Sequence, residues 1–368
     1  MNTTKKNFRI YLEPQGILRG CIDSDVVTLP FVGTSKTFSA LKIITRSNDK
    51  ITSRIITLGA LDKYLKKLTP EVRQEINKLI ENISMRRPTI MLKNGILLDW
   101  NKPLIQGVLN TTPDSFSDGG IFDNFDDAIA HVDHMIKAGA DIIDVGGEST
   151  KPGALPVSID QELKRVIPVI KQISNKDILI SIDSRNADVM RKAFNAGAHI
   201  INDVSALTHD PLAIKVVKQS EIPVILMHAQ GTPQTMQQNP RYGNVVLDIY
   251  DYLEDRINRC VQAGISRQMI MVDPGIGFGK TLNHNLEILS NLSIFHALGV
   301  PIVIGVSRKR FIGELSGEGN PAKRFPGSMA TALCAIEQGV QVIRVHDVTE
   351  TRQAITVSEA IHSKIATF

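Results

Sequence analysis

From Leu104 to the C-terminus, short apolar runs alternate with amphipathic helical stretches, and this alternation constrains the fold more than any other feature. The runs fall at 104–109, 141–145, 178–182, 199–201, 223–227, 269–272, 301–304 and 342–345. Helical patterns fill the intervals at 125–138, 159–173, 187–196, 212–219, 246–263, 282–289, 328–338 and 349–365. Runs this short and this apolar suit parallel strands covered on both faces. Eight strand–helix units in about 265 residues predict a closed α/β barrel of the (β/α)8 TIM type, for which about 250 residues is typical. An open doubly wound sheet is the competing architecture, but it would use fewer strands.

Residues 1–88 follow another pattern and predict a small α+β domain. Stretches 8–12, 39–45 and 51–58 read as strands, the last two joined by a hairpin turn at Ser47-Asn48-Asp49. Two helices follow. Thr69 is placed to cap the second, with Pro70 at its first position and Val72, Ile76, Leu79, Ile80 and Ile83 along one face. Arg86-Arg87-Pro88 reads as the end of the domain, and a hairpin over 89–100 leads into the barrel at 89–368.

Charge divides along the same line. Residues 1–97 carry 17 Lys+Arg against 8 Asp+Glu, and the remainder carries 25 against 30. The basic charges are scattered, which argues against a nucleic-acid surface. No apolar segment is long enough to span a bilayer and the N-terminus lacks a signal-peptide pattern, so a cytoplasmic location is expected. Cys21, Cys260 and Cys334 are too widely spaced for a metal site and are read as structural.

A TIM barrel places its active site at the C-terminal ends of its strands. Here those ends carry Asn110, Gly146 to Thr150, Asp183, Asn202-Asp203, His228, Asp273, Ser307-Arg308-Lys309, and Arg344 with His346-Asp347. Asp183, Asn202 and Asp273 offer groups to read a buried heterocycle, and Lys309 could answer its carbonyl. Arg344, His346 and Lys151 suit an anion such as phosphate. Asn110, with Asp118, could give oxygen ligands to a magnesium ion held mainly by phosphate. Gly275-Ile-Gly-Phe-Gly-Lys-Thr281 imitates a nucleotide phosphate loop, but Pro274 stands where that motif requires glycine. It reads better as a mobile or close-packed loop bringing Phe278 to a flat ligand. His228 suits either a structural role or a ligand role.

Long motifs then carry a specific resemblance. Gly107-Val-Leu-Asn-Thr-Thr-Pro-Asp-Ser-Phe-Ser-Asp-Gly-Gly120 and Gly139-Ala-Asp-Ile-Ile-Asp-Val-Gly-Gly-Glu-Ser-Thr-Lys-Pro-Gly153 resemble the two diagnostic motifs of dihydropteroate synthase. Asp273 to Lys280, Ser307-Arg-Lys309 and Ile343-Arg-Val-His-Asp347 are similar to later motifs of that family, so the resemblance runs from about residue 90 to the end. It implies a transferase of folate biosynthesis, a sulfonamide target, joining 6-hydroxymethyl-7,8-dihydropterin diphosphate to 4-aminobenzoate. By motif position, Asp273, Asn202, Asp183 and Lys309 would hold the pterin, with Asp183, Lys309 and Asp273 the catalytic set. Asn110, magnesium, Arg344 and His346 would hold the diphosphate. Thr150, Pro152, Phe278 and Ser307 would line the aminobenzoate site, while Phe116 and Asp118 would belong to a lid whose distal half orders on ligand binding. A homodimer is also implied.

Two positions depart from the family pattern. Lys151 stands where arginine is usual, and Ser184-Arg185 replaces the commoner Thr-Ser pair. A non-catalytic pterin-binding paralogue is the alternative that Lys151 leaves open. A pterin-binding methyltransferase barrel would lack the Asp-Ser-Phe-Ser-Asp loop, Ser-Arg-Lys and Arg-Val-His, all present here.

Overall fold

The computed structural model describes residues 8–19, 25–48, 50–92, 95–111, 125–149 and 153–363. β1 (Phe8–Arg19) lies antiparallel to β3 (Lys36–Ser47), whose other side pairs with the short β2 (Leu29–Pro30) and with β4 (Lys50–Thr57). Ser47 pairs with Lys50, so the hairpin turn lies where predicted, and Asn48 opens it at φ 50°. α1 (Leu58–Leu65) and α2 (Pro70–Ser84) pack against this sheet. The Thr69 hydroxyl accepts from the Val72 amide at 3.5 Å and Pro70 occupies the first turn. Ile76, Leu79 and Ile83 form the buried face of α2, with Val72 and Ile80 half-buried beside them.

A small hairpin, β5 (Ile90–Met91) and β6 (Leu97–Leu98), precedes the barrel. The barrel strands are β7 (Leu104–Asn110), β8 (Ile142–Gly146), β9 (Leu179–Asp183), β10 (Ile200–Asp203), β11 (Val224–Met227), β12 (Ile270–Asp273), β13 (Val303–Gly305) and β14 (Val342–Val345). They pair in parallel in the order β12-β11-β10-β9-β8-β7-β14-β13. The ring closes where Val272 bridges Ile302 and donates its amide to the Pro301 carbonyl at 3.0 Å. Helices α3 (Phe125–Lys137), α4 (Ile159–Ile173), α5 (Ala187–Ala196), α6 (Ala213–Ser220), α7 (Val245–Gln262), α8 (Leu282–Ser290), α9 (Arg310–Ser316), α10 (Phe325–Glu337) and α11 (Val348–Ser363) lie between and after the strands. Only the short α9 was absent from the sequence reading among these helices.

The barrel interior is layered by the two-residue period of its strands. Leu104, Ile142, Leu179, Ile200, Ile225, Met271, Val303 and Val342 form an apolar floor, closed from below by Ile90, Leu92, Leu98 and Trp100 of the hairpin segment. Two residues further along the same strands stand Gln106, Asp144, Ser181, Asn202, Met227, Asp273, Gly305 and Arg344. The floor is apolar, and the layer above it is largely polar.

The N-terminal sheet shares one continuous hydrophobic core with the barrel's outer helices. Tyr11 meets Tyr250 edge-on at 5.3 Å, and Phe31 meets His296 at 5.2 Å. The charge asymmetry resolves at this contact. Arg9 and Arg46 stand opposite one another on β1 and β3, an arrangement that repels when left uncompensated. Asp248, Asp251 and Glu254, at three-residue spacing along α7, meet them. Lys36 donates to the Ile336 and Glu337 carbonyls at 2.9 Å each, a cation at the C-terminal end of α10.

Arg87, read as part of a domain terminus, is instead buried and donates to the carbonyls of Asn82 (2.8 Å) and His296 (3.0 Å). Its partners lie 5 and 209 residues away, and the latter is invisible to local pattern. Cys260 is buried, whereas Cys334 is exposed. No helix among the described residues is long and apolar enough to cross a membrane.

A shared core predicts shared unfolding. Phe31→Ala should cost about 3–5 kcal/mol, and denaturant titration followed by the single tryptophan, Trp100 beneath the barrel floor, should show its midpoint fall. An unmoved Trp100 transition with a separate earlier step in circular dichroism would contradict this coupling.

Candidate functional site

Each described residue singled out in the sequence stands at the C-terminal mouth of the barrel. Asn110, Asp183 and Asp273 end β7, β9 and β12; Asn202 and Arg344 lie near the ends of β10 and β14. Ser307 and Lys309 follow β13, His346 follows β14, and Phe278 lies in the turn after β12. Phe116, Asp118, Thr150, Lys151 and Pro152, with the expected ordering of the lid, lie outside the described residues.

At the centre is a residue that sequence reasoning missed. Asp144 is fully buried, and its Oδ2 accepts from Arg344 Nε at 2.6 Å and from Asn202 Nδ2 at 3.1 Å. The second arm of Arg344 reaches Asp183 Oδ2 at 2.8 Å. One guanidinium thus bridges two buried carboxylates. The available signal was the inward alternation Ile142-x-Asp144-x-Gly146, a carboxylate in the middle of an apolar strand rather than at its end.

Burial pushes the Asp183 carboxyl up from its usual range, and Arg344 opposes that shift. Burial also raises Asp273, against the charge of Lys309 and a 2.7 Å hydrogen bond from the Gly275 amide. The half-buried Lys309 ammonium donates to the Ile276 carbonyl, and its Nζ lies 4.9 Å from the centre of the Phe278 ring. Burial lowers Lys309 to about 8, with Asp273 opposing the change and Arg344 adding to it.

The loop that imitates a phosphate cradle is close-packed. Gly275 has φ 70°, and a Cβ there would lie 1.9 Å from the His228 carbonyl oxygen; at Gly279, φ 65°, it would lie 2.4 Å from that of Gln230. These glycines permit backbone contact rather than wrap a phosphate. Lys280 is buried, donating to the Phe278 carbonyl at 3.0 Å, with its Nζ 3.0 Å from His228 Nδ1. His228 therefore has a structural partner, and burial followed by the charge of Lys280 holds its imidazole well below the usual range.

Ser307 Oγ accepts from the His346 amide at 3.2 Å and lies 2.9 Å from His346 Nδ1, tying the ends of β13 and β14 together. Arg308, at φ 58°, forks onto Asp347 at 3.1 and 2.5 Å. Arg185, one of the departures from the family pattern, forks onto Glu148 at 2.9 and 3.0 Å, and Glu148 accepts the Val157 amide at 3.3 Å. Glu148 thus joins Arg185 to the Val157 amide.

His284 belongs to the cap of α8 and His296 to the interface with the N-terminal sheet. No group of three or more His, Cys, Asp or Glu among the described residues could hold a metal ion. The half-buried Asn110 side chain at the mouth is a single oxygen donor, which suits a hard cation bound mainly through phosphate and water.

A family model described as pterin binding enzyme matches residues 106–346. The dihydropteroate synthase of Escherichia coli K12 is 47% identical over 271 residues, covering 73% of this chain and 95% of that protein. A Yersinia pestis dihydropteroate synthase crystallised as a sulfonamide drug complex superposes with a TM-score of 0.72 at 43% identity, over 75% of this chain and 100% of that one. The Xanthomonas albilineans enzyme in complex with 7,8-dihydropteroate gives a TM-score of 0.67 at 40% identity, over 74% and 98%.

Arg344→Met strands two buried carboxylates and should destabilise the fold by about 3–5 kcal/mol near neutral pH. Without the guanidinium, the folded-state pKa of Asp183 rises further above its unfolded value. In the wild type that value is already about 7, so the two proteins diverge above it, and the gap should widen as pH rises past about 7 and narrow as pH falls back to it. Chemical denaturation across pH tests this; a pH-independent gap would contradict the pairing.

Proposed function

The chain belongs to the dihydropteroate synthase family of pterin-binding enzymes, and from that premise we propose how its site joins a pterin diphosphate to 4-aminobenzoate. The chain is a transferase of folate biosynthesis. The observation that carries the assignment of roles is the opposed charge at the mouth: Asp144, Asp183 and Asp273 face Arg344 and Lys309 in the layer above the apolar floor.

In this reading Asp273 accepts from the pterin 2-amino and N3–H groups, Asn202 and Asp183 read the other ring nitrogens, and Lys309 donates to the ring carbonyl. Arg344, His346, Lys151 and Asn110 hold the diphosphate. Thr150, Pro152, Phe278 and Ser307 line the aminobenzoate site, and Phe116 and Asp118 close over it. The C–O bond to diphosphate breaks, the amine nitrogen bonds to the same carbon, and the amine loses a proton. Carboxylates near the ring favour positive charge spreading over the pterin, while cations favour the leaving group. An aromatic amine is nucleophilic enough to attack without a histidine base, consistent with His228 being occupied by Lys280. The carboxylate of Asp144 supports this set, since it holds Asn202 and Arg344 at once.

The donor set fits magnesium. Asn110 and Asp118 would hold the ion with substrate oxygens, and the ion would neutralise charge on the diphosphate. Residues 1–88 act as an accessory part packed on the barrel, the assembly is a homodimer, and the chain resides in the cytoplasm. The first assignment rests on the shared core, and the assembly and location rest on the family resemblance.

Purified protein should release diphosphate only with both substrates and magnesium, in competition with sulfonamides; inactivity under those conditions would refute the reading. Lys309→Ala and Asp273→Asn should each leave a folded barrel and lose about 3 kcal/mol of barrier lowering, roughly two orders of magnitude in rate. The pH profile follows from Lys309. Its ammonium is the required donor, so kcat/KM of the free enzyme should fall as pH rises through about 8. Bound diphosphate should shift the same limb of kcat upward. A flat kcat/KM through that range would remove Lys309 from this role.

A further inference from the structure

The N-terminal sheet reaches the site through a short run of polar contacts. Arg46, at the end of β3, donates through one Nη to Asp248 Oδ1 at 2.6 Å. The other oxygen, Asp248 Oδ2, accepts the Gly243 amide at 2.8 Å and the Asn244 amide at 3.2 Å, fixing the segment that enters α7. Asn244 caps that helix by accepting the Leu247 amide at 3.0 Å. The residue before Gly243 is Tyr242, whose hydroxyl donates to the Gly279 carbonyl at 2.7 Å. Its ring stands edge-on to His284 at 4.9 Å, so its direction is set from both ends.

Gly279 lies between Phe278, whose ring sits against Lys309, and Lys280, whose ammonium anchors the turn to His228. A Cβ at Gly279 would lie 2.4 Å from the Gln230 carbonyl oxygen, so the turn packs closely there and has little room to absorb a shift of Tyr242.

We propose that Arg46 is a positioning residue for the aminobenzoate side of the site, acting through Asp248 and Tyr242 on the turn that carries Phe278. This rests on the reading given under Proposed function. Charge-assisted hydrogen bonds hold one geometry more firmly than neutral ones, and small displacements of positioning groups have large kinetic effects. The contact also gives the N-terminal part a role in the reaction that a barrel without it would have to fill otherwise.

The test uses the full chain. Arg46→Ala, Arg46→Lys and Asp248→Asn are compared with wild type for kcat, the KM of each substrate and the melting temperature. Arg46→Ala should raise the 4-aminobenzoate KM about ten-fold, within the 5–150-fold range usual for coupled sites, and should move the pterin diphosphate KM less. Arg46→Lys should recover part of the loss, because a single ammonium still reaches Asp248. Asp248→Asn keeps an acceptor for the two amides but loses the ion pair, and should shift the same KM if Arg46→Ala does not fold. Tyr242→Phe should add little in the Arg46→Ala background, as expected for one path.

A purely structural contact would lower the melting temperature and the active fraction while leaving both KM values within two-fold. That result in a folded Arg46→Ala or Asp248→Asn protein overturns the proposal, as does full additivity with Tyr242→Phe. Wild-type protein that fails to form dihydropteroate would instead overturn the functional reading, so the two failures are distinguishable.

Discussion

Arg344 lies between Asp144 and Asp183, and this bridge is the interaction on which the rest of the site depends. Two carboxylates buried beside one another repel and lose hydration, and a shared cation offsets both costs. A guanidinium can serve both because its nitrogens present donors in a fixed plane. Asn202 joins the same cluster from β10, so four strands, β8, β9, β10 and β14, are tied by side chains as well as by backbone. The recognition groups and part of the barrel's stability therefore reside in the same atoms.

The layering below explains why such a cluster is tolerated. The floor is filled by branched and long aliphatic side chains, and the hairpin carrying Trp100 seals it from beneath. Only the next layer, open to the mouth, carries charge. That separation follows from strand period and needs no special device. It also makes the mouth polar on many strands at once, which is why the end-of-strand residues could be picked out together.

Legibility followed the range of the interactions. The eight strands were readable because each is a short apolar run with polar residues where it emerges, and the α2 cap was readable because Thr69 and Pro70 are neighbours of what they cap. Asp144 was passed over because attention to strand ends ignores a carboxylate one turn of the pleat deeper. Lys280 follows a glycine-rich turn and so imitates a ligand-binding lysine, yet His228 and the Phe278 carbonyl draw it inward. Arg87 and Arg46 find partners about 200 residues away, and no local pattern encodes those. The α9 helix is seven residues long, too short for an amphipathic period to stand out.

The charge asymmetry between the two parts of the chain has a similar long-range cause. A basic N-terminal part invites comparison with nucleic-acid binders, but its Arg9 and Arg46 pair across the sheet and are directed onto the acids of α7. Placing like charges directly opposite one another is unfavourable in an isolated sheet, so this arrangement favours the docked form over the free one. Docking also places Arg46 on the residue that fixes the entrance to α7, directly beside the turn that shapes the site. The compensation of charge and the positioning of the loop thus come from one contact, and loss of the α7 acids would release the N-terminal sheet and loosen the Tyr242 segment together.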